Sequence, residues 1–249
     1  MRTVCVIPAR YGSQRLPGKP LTLLNGRPMI QWVVEAARRI AVVEEVIVAT
    51  DHADIVAAVV AVGAEAIMTP PGCPSGTDRI QAALLGRAAD VVVNVQGDEP
   101  AMPARAVELA HASLLRSGAE VATACVPILN REQFEMPSVV KVVRDRDDRA
   151  LYFSRSPIPS LPRREAAEIA VPGYIWGYKH LGVYVYRRQA LEDFCRLLPS
   201  SLENQEKLEQ LRMLENGMRI QCVLSPADSV GVDVAEDIRH AEQALRALS

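Results

Sequence analysis

The chain has 249 residues, 49% of them hydrophobic and 23% charged, with a formal net charge of -2. That balance describes a globular protein with enough material for the core of one α/β domain, and it excludes long disordered tracts. Near-neutrality also excludes a molecule-wide surface for nucleic acid or anionic membrane, so any anion site must be local.

In chain order, short β-branched runs predict strands at 3–8, 45–50, 65–68, 91–96 and 121–127, with helices near 28–40, 52–62, 77–87 and 104–117 between them. Continuous apolar strands alternating with helices imply a mainly parallel central sheet flanked by helices on both faces. Residues 139–186 break the rhythm: SVVKVVRD, ALYFSRS and HLGVYVY read as hairpin-type strands around a stretch holding Pro157, Pro159, Pro162 and Pro172. A substrate or dimerisation insertion and a mobile loop are both open there. A helix at 203–215, a strand at 219–224 and a helix at 234–247 complete the pattern. We expect a single domain over 1–249, with about 128–186 inserted.

The longest run of apolar residues and glycine, IVAAVVAVGA at 55–64, is about half of the ~20 residues that span a bilayer, so no membrane insertion is expected. MRTVCVIPAR has too short an apolar core for a secretion signal. The five cysteines are scattered and never spaced C-x-x-C, so they read as reduced thiols of a cytoplasmic protein.

The stretch VIPARYGSQRLPGKPL, residues 6–21, places Arg10, Arg15 and Lys19 after the first strand, and no acid precedes Glu35. Ligands of open parallel sheets bind beyond the carboxyl ends of the strands. Arginines there can grip phosphate in bidentate fashion, so the loop is a candidate polyphosphate site. It has neither the P-loop sequence nor a dinucleotide turn. A second strand ends in Asp98 and Glu99, closed by Pro100. A carboxylate beside cations makes sense if Mg²⁺ bridges it to phosphate. Asp233, with Glu236 three residues on, fits either a second metal ligand or the N-cap of the last helix. Ser75 with Asp78 likewise fits a cap, or a loop in which Ser75, Thr77 and Arg79 read a base.

IPARYGSQRLPGKPL, SGTDR, NVQGDEP, YFSR, HLGVY, LEQLR and GVD occur in this order. Together they resemble the 3-deoxy-manno-octulosonate cytidylyltransferase family over nearly the whole chain. The resemblance implies a Rossmann-like nucleotidyltransferase fold, a homodimer, and transfer of CMP from CTP to the sugar acid Kdo with Mg²⁺, for lipopolysaccharide. Carried over, Pro8, Arg10, Ser13, Arg15 and Lys19 would hold the triphosphate, and Ser75, Thr77 and Arg79 would lie by cytosine and ribose. Asp98 and Asp233 would bind Mg²⁺. Gln96, Arg155, His180, Tyr184, Glu209 and Gln210 would contact the sugar acid, with Arg163, Arg164 and Lys179 open as partners of its carboxylate. Pattern alone reads His180 as a structural residue, leaves Arg155 equally open as a sugar contact or a surface charge, and reads Glu209 and Gln210 as a solvated helix face off the stripe Leu208, Leu211, Leu214. A sialic acid or 8-amino-Kdo acceptor, or a CTP-binding regulatory protein without turnover, are the rival readings.

Overall fold

The computed structural model describes residues 1–12, 16–160 and 173–248. The chain opens with strand β1 (Thr3–Ala9), a 3₁₀ turn at Lys19–Leu21, and a small hairpin of β2 (Leu23–Leu24) and β3 (Arg27–Pro28) leading into α1 (Met29–Arg38). Alternation follows: β4 (Glu45–Thr50), α2 (Ala53–Val60), β5 (Glu65–Met68), α3 (Gly76–Ala83), β6 (Val91–Val95), α4 (Ala104–Ser117) and β7 (Val121–Ile128). Then come α5 (Arg131–Glu135), β8 (Lys141–Arg144), β9 (Ala150–Ser154) and the long β10 (Gly177–Arg187). The chain finishes with α6 (Arg188–Arg196), α7 (Ser201–Glu206), α8 (Gln210–Glu215), β11 (Ile220–Leu224) and α9 (Asp237–Ala247).

The main sheet runs β11-β7-β10-β6-β1-β4-β5, with β8 added to β10 and β9 to β8. The pairs β1–β4, β1–β6, β4–β5 and β7–β11 are parallel, as the alternating pattern implies. β10 is antiparallel to both β6 and β7. Thus HLGVYVY, read as part of a hairpin insertion, belongs to the centre of the sheet, and the β8–β9 hairpin hangs from its start.

Successive strand residues point to opposite faces, and β1 shows how this divides the core. Cys5, Ile7 and Ala9 pack with α1, α2, α4 and α9 through residues such as Val33, Ile55, Val107 and Ala241. Val4 and Val6 pack on the other face with Ile80, Leu191, Phe194 and Leu211. Both faces being covered explains why the strands carry unbroken apolar runs.

The predicted helix at 203–215 is two short helices, because Lys207 adopts a left-handed conformation (φ 55°) between them. Ser200 and Glu203 form a capping box at the start of α7, and Arg212 of α8 donates from Nε to Glu203 at 2.7 Å, which closes the pair of helices. The last helix begins at Asp237, later than predicted, with Glu236 as its N-cap residue. The capping role expected of Asp233 is therefore corrected: the Asp233 and Val234 N–H groups donate to the Asp237 carboxylate at 2.7 and 3.0 Å, and the Asp233 carboxylate accepts from Lys19 Nζ at 2.9 Å. No helix among the described residues is long and apolar enough to cross a membrane.

Candidate active site

Parallel strands β1 and β6 end side by side, so the loops that follow them share one edge of the sheet. Between them opens a pocket of about 520 Å³. The loop after β1 contributes Pro8, Arg10 and Lys19, and the segment after β6 contributes Gln96 and Asp98. Ser75 and Arg79 come from the start of α3, and Asp233 from the segment before α9. Eight residues singled out in the sequence thus line one cavity. Ser13, Arg15, Arg163 and Arg164 lie outside the described residues.

The close approach of the two loops depends on Gly97. A Cβ on it would stand 2.7 Å from the Pro8 carbonyl oxygen, a separation real side chains do not tolerate. Only glycine lets backbone pass that near.

The sequence shows no acid near the basic loop, yet in space Lys19 has two. Its Nζ donates to the carboxylate of Asp98 and, at 2.9 Å, to that of Asp233. The ammonium is nearly enclosed and the two carboxylates are partly open, at 34% and 52% exposure, so they face the cavity from around one cation. Arg10 is exposed on the pocket wall, with no ion pair recorded among the described residues.

Arg79 is 4% exposed, and its Nη2 donates to Asp51 at 2.9 Å while Nη1 donates to Thr69 Oγ1 at 2.6 Å. Asp51 also accepts from the Tyr11 N–H at 3.0 Å, and the Tyr11 ring stacks on His52 at 3.9 Å. The first loop is thereby tied to the start of α3 through one acid. Asp51 was missed in the sequence, although it follows β4 just as Asp98 follows β6.

Ser75 does cap α3, accepting from the Asp78 N–H. Its Oγ also lies 2.9 Å from Glu209 Oε1, which brings α8 to the pocket's edge. Thr77 is buried behind it. The solvated-face reading of Glu209 and Gln210 is corrected: Gln210 is buried, and burial holds the Glu209 carboxyl above the usual range against the opposing pull of hydrogen bonds from Thr77 and Ser75. The turn at Lys207 rotates these two inward together with Leu208 and Leu211.

His180 and Tyr184 lie buried on β10. His180 Nε2 is 2.9 Å from Thr123 Oγ1, its ring meets Phe153 edge-on at 5.0 Å, and burial pushes its pKa down to about 3, so it is neutral. Burial raises the Tyr184 hydroxyl well above its ordinary range. Arg155 is no free surface charge and does not reach the pocket: its guanidinium donates to the backbone carbonyls of Glu206 and Pro137 at 3.0 and 3.1 Å. Lys179 donates to Asp228 at 2.9 Å and to the Ser229 carbonyl at 3.3 Å.

A model of the cytidylyltransferase family matches residues 4–220. The chain belongs to that family. The 3-deoxy-manno-octulosonate cytidylyltransferase of Bdellovibrio bacteriovorus is 46% identical over 247 residues, covering 98% of each chain. The enzyme of the same name from Syntrophobacter fumaroxidans is 48% identical, over 96% of this chain and 94% of its own. A solved CMP:2-keto-3-deoxy-manno-octonic acid synthetase complexed with CTP superposes with a TM-score of 0.90 at 40% identity, with full coverage of both chains. A cytidylyltransferase from Leptospira borgpetersenii, at 15% identity and a TM-score of 0.63, shares the fold. These likenesses place the chain within the 3-deoxy-manno-octulosonate branch and give it the nucleotidyltransferase fold.

The family implies Mg²⁺, and the residues present fit it. No group of three or more His, Cys, Asp or Glu poised to hold a metal occurs among the described residues. Asp98 and Asp233 nevertheless gather around one cation, the Lys19 ammonium. Two carboxylates completed by substrate phosphate oxygens and water are the set magnesium prefers.

Proposed function

We propose that this cytidylyltransferase moves CMP from CTP to the anomeric hydroxyl of 3-deoxy-D-manno-octulosonate, releasing pyrophosphate and supplying CMP-Kdo for lipopolysaccharide. One observation carries the reading: Arg10 and Lys19 share a pocket with the paired acids Asp98 and Asp233, in a chain that matches enzymes of that name over nearly its full length.

In the proposed chemistry the acceptor oxygen forms a bond to the α-phosphorus as the bond to the β-phosphate oxygen breaks, and the hydroxyl proton leaves to solvent. Arg10, Arg15 and Lys19, with Pro8 and Ser13, hold the triphosphate, while Ser75, Thr77 and Arg79 border cytosine and ribose. Asp98 and Asp233 would hold Mg²⁺, which when bound would supply charge neutralisation for phosphate and a lowered pKa for the acceptor hydroxyl. Lys19 then exchanges its carboxylate partners for phosphate oxygens and stabilises charge on the departing pyrophosphate, so catalysis is positioning and electrostatics. Gln96 and Glu209, at or beside the pocket, are the best-placed sugar contacts; His180, Tyr184 and Gln210 support that wall from the core. Arg155, held by two carbonyls, is assigned no sugar contact. The reading includes one domain, a homodimer formed partly through the middle region, and a cytoplasmic location suited to five free thiols.

Phosphorus NMR of the protein with CTP, Mg²⁺ and Kdo tests the bond that breaks. A new phosphodiester signal with pyrophosphate is expected, whereas CDP with phosphorylated Kdo, or with inorganic phosphate from attack by water, would place attack at the terminal phosphorus and refute the reading.

A further inference from the structure

Glu99, directly after Asp98, is a buried acid that the chemistry above does not use. Its Oε2 accepts from Ser229 Oγ at 2.6 Å. Its Oε1 faces two glycines from different elements: a Cβ on Gly182 of β10 would stand 3.4 Å away, and one on Gly231 would stand 3.2 Å away. Beside it, the Val232 N–H donates to the Asp98 carbonyl at 2.9 Å, and Val232 precedes Asp233. The Glu99 N–H donates back to the Gln96 carbonyl at 3.1 Å. Lys179 holds the far side of the same segment through Asp228 and the Ser229 carbonyl. The segment after β6, the middle of β10 and the segment 228–233 therefore converge on one carboxyl group.

We propose that Glu99 is a positioning residue whose carboxyl group clasps the segment carrying Asp233 to the strand end carrying Asp98, and so fixes how far apart the two pocket acids stand. Burying a carboxyl group is costly, and an apolar side chain of like volume would serve packing at least as well. What an apolar residue cannot do is accept the Ser229 hydrogen bond. The two acids come from sequence positions 98 and 233, and among the described residues this junction and Lys19 join them. Small errors in the placement of reacting groups carry large kinetic losses. The inference rests on the reading that Asp98 and Asp233 act together.

The test compares Glu99→Ala, Ser229→Ala and Glu99→Gln with the wild type. Hydrogen exchange at the Val232 amide, measured without metal or nucleotide, reports the clasp itself; kcat and the Kd for CTP report its use. Glu99→Ala and Ser229→Ala are expected to speed exchange at Val232 by about tenfold or more and to lower kcat roughly 10- to 100-fold, with CTP affinity within about threefold. Glu99→Gln, which keeps an acceptor for Ser229, is expected to restore both to within about threefold of wild type. If Glu99→Ala does not fold, Ser229→Ala decides. Unchanged exchange in Ser229→Ala overturns the clasp, and faster exchange with unchanged kcat overturns its role in positioning. A wild type that releases no pyrophosphate would instead remove the transferase reading, and Val232 exchange would still decide the clasp.

Discussion

The ammonium of Lys19 donates a hydrogen bond to the carboxylate of Asp98, 79 residues away, and the same nitrogen reaches Asp233 at 2.9 Å. Three of the groups assigned to substrate and metal thus partly neutralise one another before either arrives, leaving one net negative charge. A carboxylate pair at a phosphate site would repel CTP; the lysine cancels part of that charge, and the triphosphate can later claim it.

Lys19→Ala tests that double role. If the ammonium matters most as charge develops on pyrophosphate, kcat falls about 10²- to 10³-fold while the Kd for CTP changes far less. Turnover by pyrophosphate release and affinity by calorimetry separate the two, and unchanged turnover removes Lys19 from the mechanism.

Asp98→Asn keeps the shape of the side chain and removes its charge. Magnesium-dependent activity should be abolished. A magnesium titration of pyrophosphate release checks this, and activity at ordinary magnesium would refute a ligand role for Asp98.

Gly97→Ala places a methyl group 2.7 Å from the Pro8 carbonyl, so the loop after β1 and the segment after β6 must part. The expected cost is about 1–3 kcal/mol, read as a lower midpoint in urea, with weakened CTP binding. A variant as stable as wild type with full CTP affinity would show that the two loops need not touch.

Two buried groups drive stability in opposite directions with pH. His180 is neutral when folded, its pKa depressed to about 3 by burial. The unfolded chain binds more protons below its ordinary value near 6.5, so His180 costs stability as pH falls, about 1.4 kcal/mol per unit. Glu99 has the opposite sign: burial, and then the neighbouring Asp98 charge, raise its carboxyl to about 7. Its contribution is fully present below about pH 4.5 and is lost as pH rises through 7. Relative to wild type, His180→Gln should therefore gain stability as pH falls from 6.5, and Glu99→Gln should gain as pH rises from 4.5 to 7. Urea unfolding of the three proteins at pH 4.5, 5.5 and 7 checks both slopes, and parallel curves would contradict both.

Much of the fold is legible because β-branched runs such as EVIVAT and VVVNV announce parallel strands locally. The position of β10 is not, since insertion between β6 and β7 is a matter of pairing at long range. The broken helix at Lys207 was invisible for a related reason: tertiary packing of Leu208 and Leu211 outweighs a helical pattern that looks continuous. Most of the pocket was readable from acids and cations at the carboxyl ends of strands, and the same rule would have found Asp51. What no local pattern could show is pairing: that Arg79 belongs to Asp51, Arg155 to the Glu206 carbonyl, and Lys19 to both acids.

Pyrophosphate release from CTP, with and without Mg²⁺, and with Kdo, its 8-amino analogue and N-acetylneuraminate offered separately, tests the central claim most directly. Magnesium-dependent release with Kdo well above that with the other two is the predicted result. Preference for the amino analogue would keep the chemistry and contradict the acceptor, and no release with any of the three, despite measurable CTP binding, would contradict the transferase itself.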